Sequence, residues 1–135
     1  MNETLQAAPV RVGEKVVDAE HDVQMQMLDS LAAAIENRGN YASMKHVLEQ
    51  FIEFSDMHFL SEQLVMRLHS YPGYEAHLEE HTHLLKKVRE IREKVFRGEK
   101  MLSLELIKEL RAWLVAHMAS HDKAFGEFLK LSGKP

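Results

Sequence analysis

Cysteine is absent from this chain, which removes disulfides, iron–sulfur clusters, thiolate zinc sites and covalently attached c-type haem together. Any bound metal must rest on nitrogen and oxygen ligands. Proline and glycine are scarce, 3 and 6 in 135 residues, and nearly all fall at breaks between long periodic segments or at the chain ends. No apolar run approaches the roughly 20 residues needed to span a bilayer, and Met1 to Val12 carries no apolar stretch of signal-peptide kind. No membrane partner is therefore expected, and the cytoplasm is the expected location. A basic excess is missing too: 17 Lys and Arg against 21 Asp and Glu give a net charge of -4, which leaves no basic face for nucleic acid.

What the chain does have is apolar content, 45% of its residues, enough for one domain with a real core. The periodicity predicts an all-α fold of four helices. Asp18 is the expected N-cap of the first, which runs to about Asn37 and is stopped by Gly39 in a left-handed cap. Asn40 caps the second, Tyr41 to Ser70, which ends at Tyr71-Pro72-Gly73 because proline removes a donor and disfavours helix in the residue before it. The third runs from Tyr74 to Arg97 and is closed by Gly98; Ser103 caps the fourth, which continues to about Leu131. Long segments joined by short loops fit an antiparallel up-down-up-down four-helix bundle over residues 13–135, preceded by an N-terminal arm, residues 1–12.

The apolar stripes of these helices are interrupted by histidine and acid. The first reads His21, Met25, Leu28, Ala32, Ile35; the second Val47, Phe51, Phe54, His58, Glu62, Val65; the third His77, His81, Leu84, Val88, Ile91, Val95. The fourth reads Leu106, Leu110, Trp113, Leu114, His117, then slips by one residue to Asp122, Phe125 and Leu129. His58/Glu62 and His77/His81 are i, i+4 pairs on one face. His117 and Asp122 are five apart, about 140° in an ideal helix, so the spacing predicts a π-bulge between Met118 and His121 that returns Asp122 to the buried side. Antiparallel packing then places all seven side chains at one height. A lone histidine on an apolar face is ordinarily satisfied by a backbone carbonyl, but seven buried imidazoles and carboxylates need stronger compensation, and a pair of divalent ions supplies it.

A histidine near the start of the first helix, His58-Phe59-x-x-Glu62, Tyr71-Pro72, His77-x-x-x-His81 and His117-x-x-x-x-Asp122-Lys123 together resemble the hemerythrin family, particularly its single-domain bacterial members, over residues 13 to 131. The resemblance implies a di-iron centre. His77, His81 and His117 would hold one iron, His21 and His58 the other, with Glu62, Asp122 and an oxo or hydroxo group bridging them. The two-histidine iron would keep a vacant position for reversible O2 binding, for storage, delivery or sensing. The donor chemistry agrees, since imidazole suits iron and zinc, while a mixed set with two carboxylates favours dinuclear iron or manganese. The alternatives are a di-iron enzyme handling peroxide or nitric oxide, and an iron-storage or structural bundle. An electron donor or a signalling partner would be a separate protein, with the arm as the route by which sensing would reach it.

The expected oxygen pocket comprises Gln24, Met25, Phe59, Trp113, Leu114 and Met118. By the resemblance, Phe59, Trp113, Leu114 and Met118 border the vacant position, though each is also ordinary core packing. Where the family commonly has leucine, this chain has Gln24; its amide either hydrogen-bonds a bound peroxide or turns outward and leaves the space to Met25. Glu20 stands where the family often has glutamine, and it and His121 are open to a role behind the ligands or to solvent. His46, His69 and His83 fall off the ligand stripes and are expected at the surface. Met25, Met27, Met57, Met66 and Met118 read as core filler. Glu80-x-x-His83 matches one element of ferritin-like di-iron proteins, but a second copy is missing.

Overall fold

The computed structural model describes residues 13–132, so the arm read at residues 1–12 lies outside the described residues. Four antiparallel helical rods form the bundle: α1 (Lys15–Glu36), α2 (Tyr41–Leu68), α3 (Tyr74–Phe96), and a fourth rod in three parts, α4 (Leu104–His117), a π segment (Met118–Asp122) and α5 (Lys123–Leu131). Each rod packs on the next, and the fourth returns against α1. Among the described residues, no helix is long and apolar enough to cross a membrane.

The helix starts follow side-chain caps. Asn40 accepts from Ser43 N at 3.0 Å and Ser103 from Leu106 N at 3.3 Å, as the sequence predicts. At α1 the cap is Glu14 rather than Asp18: Glu14 accepts from Val17 N at 2.7 Å, while Asp18 sits in the first turn and its carboxylate accepts from Gly13 N at 3.2 Å. The two acids thus divide the capping between them. Three helices end in the same way, with a left-handed residue and a bond from the residue after it back to the last turn. The left-handed positions are Arg38 (φ 52), Ser70 (φ 51) and Gly98 (φ 75), and the closing bonds are Gly39 N to Ala34 O, Tyr71 N to Met66 O and Glu99 N to Lys94 O. Gly39 is therefore one residue past the position the sequence assigns it, because α1 ends earlier. It serves close packing, since a Cβ there would lie 3.3 Å from Ala34 O.

The core is divided in two. A large cluster runs through Leu28, Leu31, Leu48, Phe51, Ile107 and Leu110 to Phe59 and Met118, and a small one joins Met66, Phe125 and Leu129 beneath Tyr71. Each fully buried Leu or Ile here contributes roughly 1.5–3 kcal/mol. Between Phe59 and Met66 on α2 lies Glu62, and between Met118 and Phe125 on the fourth rod lies Asp122; a polar layer separates the two apolar clusters. Arg111, buried although charged, ties α4 to α1 through Asp29 at 2.7 Å.

Candidate metal centre

The polar layer holds His21, His58, Glu62, His77, His81, His117 and Asp122, every one of them at most 1% exposed. The π segment, Met118 to Asp122, stands where the one-residue slip requires it. Ser120 caps a carbonyl of that region, donating to Ala116 O at 2.7 Å. With the slip absorbed, Asp122 faces the same interior point as His117, their Oδ1 and Nε2 being 3.0 Å apart.

The donor atoms sort into two groups. Glu62, His77, His81, His117 and Asp122 converge on one side; His21, His58, Glu62 and Asp122 converge on the other. The carboxylates belong to both, and each turns one oxygen each way. Glu62 Oε1 lies 2.8 Å from His77 Nε2 and 3.0 Å from His81 Nε2, while Oε2 faces His58 Nε2 at 4.0 Å. Asp122 Oδ1 lies 2.9 Å from His77 Nε2 and 3.0 Å from His117 Nε2, while Oδ2 lies 2.8 Å from His21 Nε2.

Short as these approaches are, both oxygens of Glu62 and of Asp122, and the Nε2 atoms of His21, His58 and His77, lack hydrogen-bonding geometry. The atoms aim past one another at common points. Buried polar groups left without partners are costly, and a desolvated carboxylate costs several kcal/mol. A cation at each point of convergence satisfies them together, so the residues present fit a pair of metal ions.

Electrostatics of the protein alone describe the same frustration. Burial, with Asp122 beside it, pushes the Glu62 carboxyl well above the usual carboxylate range. Burial pushes Asp122 up as well, but the close imidazoles of His117, His21 and His77 outweigh it and hold Asp122 well below its ordinary value. Burial, reinforced by His117, pushes His81 down to about 2. His58 is also lowered by burial, partly offset by its bond to Glu20. Neutral imidazoles with free lone pairs are the form a metal requires.

Two outer partners orient these rings. His58 Nδ1–H donates to Glu20 Oε1 at 2.6 Å, and His81 Nδ1–H to Gln63 Oε1 at 2.9 Å, which turns each Nε2 lone pair inward. The first partner was one of two roles open to Glu20. Gln63 was missed, and its only signal is adjacency to Glu62. His121 is half-buried, stacked on His117 with ring centroids 5.6 Å apart and its Nε2 3.9 Å from Glu80.

Residues 12–129 match the family model described as the hemerythrin HHE cation binding domain. The chain belongs to the hemerythrin family. It is similar to the bacteriohemerythrin of Ralstonia nicotianae, 27% identical with 92% of this chain and 87% of that one covered. It is likewise similar to the bacteriohemerythrin of Methylococcus capsulatus, 29% identical over 83% of this chain and 85% of that one. Among solved structures, a wild-type hemerythrin at 27% identity superposes with a TM-score of 0.81, covering 86% of this chain and 88% of that one. The site of this hemerythrin is a non-haem metal site built on imidazole and carboxylate.

The structure divides the expected oxygen pocket. Phe59 stacks on the His81 ring at 4.0 Å and meets the rings of His58 and His117 at 5.7 Å. Phe59, Trp113 and Leu114 also line a crevice of about 10 Å³ with Phe51, Ser55 and Leu110, room for about one water-sized sphere. Met25 and Met118 pack in the core without lining it, and Trp113 is half-buried under Lys87, 4.7 Å from its ring. Gln24 turns inward rather than outward: it is fully buried, donates to Ser55 Oγ at 3.0 Å and keeps Oε1 without a partner. Ser55 was not anticipated. Met57 is not core filler, being 53% exposed. His46 and His83 are exposed and His69 is half-buried at the end of α2.

Proposed function

We infer that this hemerythrin holds two iron ions and binds O2 reversibly on the two-histidine side, for storage, delivery or sensing in the cytoplasm. The observation that carries this reading is the division of labour within each carboxylate, one oxygen of Glu62 and of Asp122 to each histidine group. Ligands placed so bridge two ions. His77, His81 and His117 would hold the first, His21 and His58 the second, with an oxo or hydroxo group completing the bridge. The second group has one imidazole fewer, so an ion held there would have fewer protein ligands and room for a small molecule.

Held by these residues, two ferrous ions would supply the paired electrons and the binding position that O2 requires. The protein's part is to orient and to exclude. Glu20 and Gln63 hold the His58 and His81 rings in a single tautomer. Phe59, stacked on His81, and the apolar cluster above it keep water and protons from the centre. Five imidazoles with two carboxylates carry less negative charge than a four-carboxylate set, so they would leave a pair of ferrous ions more positive and better suited to binding O2 than to splitting it.

The buried Gln24–Ser55 pair favours a second reading, a di-iron enzyme handling peroxide, because it sets an amide one turn from His21 and a hydroxyl one turn from His58 where apolar side chains would serve a carrier better. One experiment separates them. Reconstituted anaerobically, the protein should retain about two irons per chain; O2 should then raise a visible charge-transfer band that disappears when O2 is removed. A colourless protein, or one iron per chain, rules out both readings, and irreversible colour change with turnover of peroxide selects the enzyme.

A further inference from the structure

The outward face of α2 carries Met57, Leu60, Leu64 and Leu68, exposed by 53, 59, 59 and 73%. Spacings of three, four and four residues put them on one line. That line is on the opposite side of α2 from His58 and Glu62, whose side is wholly buried. Beside it on α1, Val16 and Val23 are 57 and 36% exposed. They stand four residues before and three after Glu20, which reaches across to His58, so they lie on the flank of α1 that adjoins α2. Single exposed leucines need no explanation, but an aligned apolar stripe nearly three turns long marks an interaction surface.

The charges along the stripe's other flank say what covers it. Asp56 and Arg67 are eleven residues apart, nearly a whole number of turns, and both lie on the α3 side of the stripe; Asp56 meets Arg89 at 3.3 Å but is still 40% exposed, and Arg67 is exposed. When two copies of α2 pack antiparallel about a two-fold axis, Leu60 meets the partner's Leu64, Met57 meets the partner's Leu68, and Asp56 meets the partner's Arg67, each contact occurring twice. A parallel pairing would turn the α3 flank of one copy toward the α1 flank of the other and leave Asp56 and Arg67 unmatched. We propose that the stripe is the interface of a weak antiparallel dimer of this chain, α2 against α2, with the metal centres on the far side of each helix.

Sedimentation equilibrium of the metal-loaded full chain tests this. The mass should rise from one chain to two with concentration, and Leu64→Glu should stay at one chain while keeping its helical circular dichroism, thermal midpoint and iron spectrum. Asp56→Arg and Arg67→Asp should each weaken association by about tenfold or more through like-charge contact, and the two together should restore it. One-chain mass at every concentration overturns the proposal, as does a dimer indifferent to Leu64→Glu. A chain that dimerises only after removal of residues 1–12 also overturns it and assigns the stripe to that segment. Association does not involve iron, so failure here leaves the oxygen-binding reading standing.

Discussion

Glu20 and Gln63 each adjoin a cluster residue in sequence, His21 and Glu62, yet each serves a histidine on another helix. Successive side chains on a helix diverge by about 100°, so the neighbour of an inward-facing ligand points sideways into the next helix. The seven cluster residues were legible because burying them contradicts an apolar stripe; the orienting residues were not, because a polar side chain on a flank contradicts nothing. Replacing Glu20 by Ala should lower iron affinity by about 10–100-fold, measured by competition with a chelator, while His83→Ala on the exposed face of α3 leaves it unchanged. Equal effects from both would mean that Glu20 does not support His58. Gln24 poses the opposite case, since its identity was noticed but not its direction. Buried one turn from His21 with Oε1 unpaired, it offers a hydrogen-bond acceptor, and Gln24→Leu should lengthen the lifetime of the oxygenated protein against autoxidation. Its folding stability should shift by no more than about 1 kcal/mol, because the lost bond to Ser55 is offset by removal of the orphaned oxygen. An unchanged lifetime reduces Gln24 to packing.

At the scale of elements, helix number, order and the π segment were all readable. The slip between His117 and Asp122 is the plainest instance: apolar periodicity resumes one residue late at Phe125 and Leu129, both buried, and only a turn with an extra residue permits that. Helix ends were read less well, for a local reason. Glu14 and Asp18 both offer a carboxylate near the start of α1, and which one caps depends on where the chain enters, which the flanking sequence does not fix. Likewise the sequence assigns the left-handed position to Gly39, although Arg38 occupies it at φ 52. Non-glycine residues in this conformation cost roughly 1–2 kcal/mol. Ser70→Gly, at φ 51 on an exposed turn, should therefore stabilise the protein by about 0.5–1 kcal/mol, and Gly98→Ala, at φ 75 with open space around it, should destabilise it by about 1 kcal/mol. Urea denaturation of the two variants checks the pair, and the same sign for both would show that backbone conformation does not govern these ends.

For the whole molecule, fold and metal should be linked through pH. In the metal-free protein, His81 is held near 2 and His58 below its ordinary 6.5, so below pH about 6.5 the unfolded chain binds protons that the fold refuses, and stability is lost as pH falls. His81 alone contributes a slope of about 1.4 kcal/mol per pH unit. Glu62 acts in the other direction. Its carboxyl is raised well above 4.5, so its contribution is present at low pH and is lost as pH climbs from 4.5 through the raised value. From 4.5 upward it opposes the histidines, so the acid slope there is shallower. Below 4.5 Glu62 is protonated in both states, so the histidines act unopposed, and Asp122 adds to them below 3.8 because its folded value is depressed. Metal-free stability should accordingly fall more steeply below 4.5 than just above it, and Glu62's stabilising contribution is lost as pH climbs through its raised value, where it ionises in a buried site without a counter-ion. Iron removes that last penalty, since the ionised carboxylate is then a ligand. The stability gained from metal should thus widen as pH rises from 4.5 through the raised value, which urea titrations at several pH values with and without a chelator would reveal. A gap that stays constant across that range would mean Glu62 is ionised and satisfied without any metal, and the argument that these buried donors demand one would fail with it.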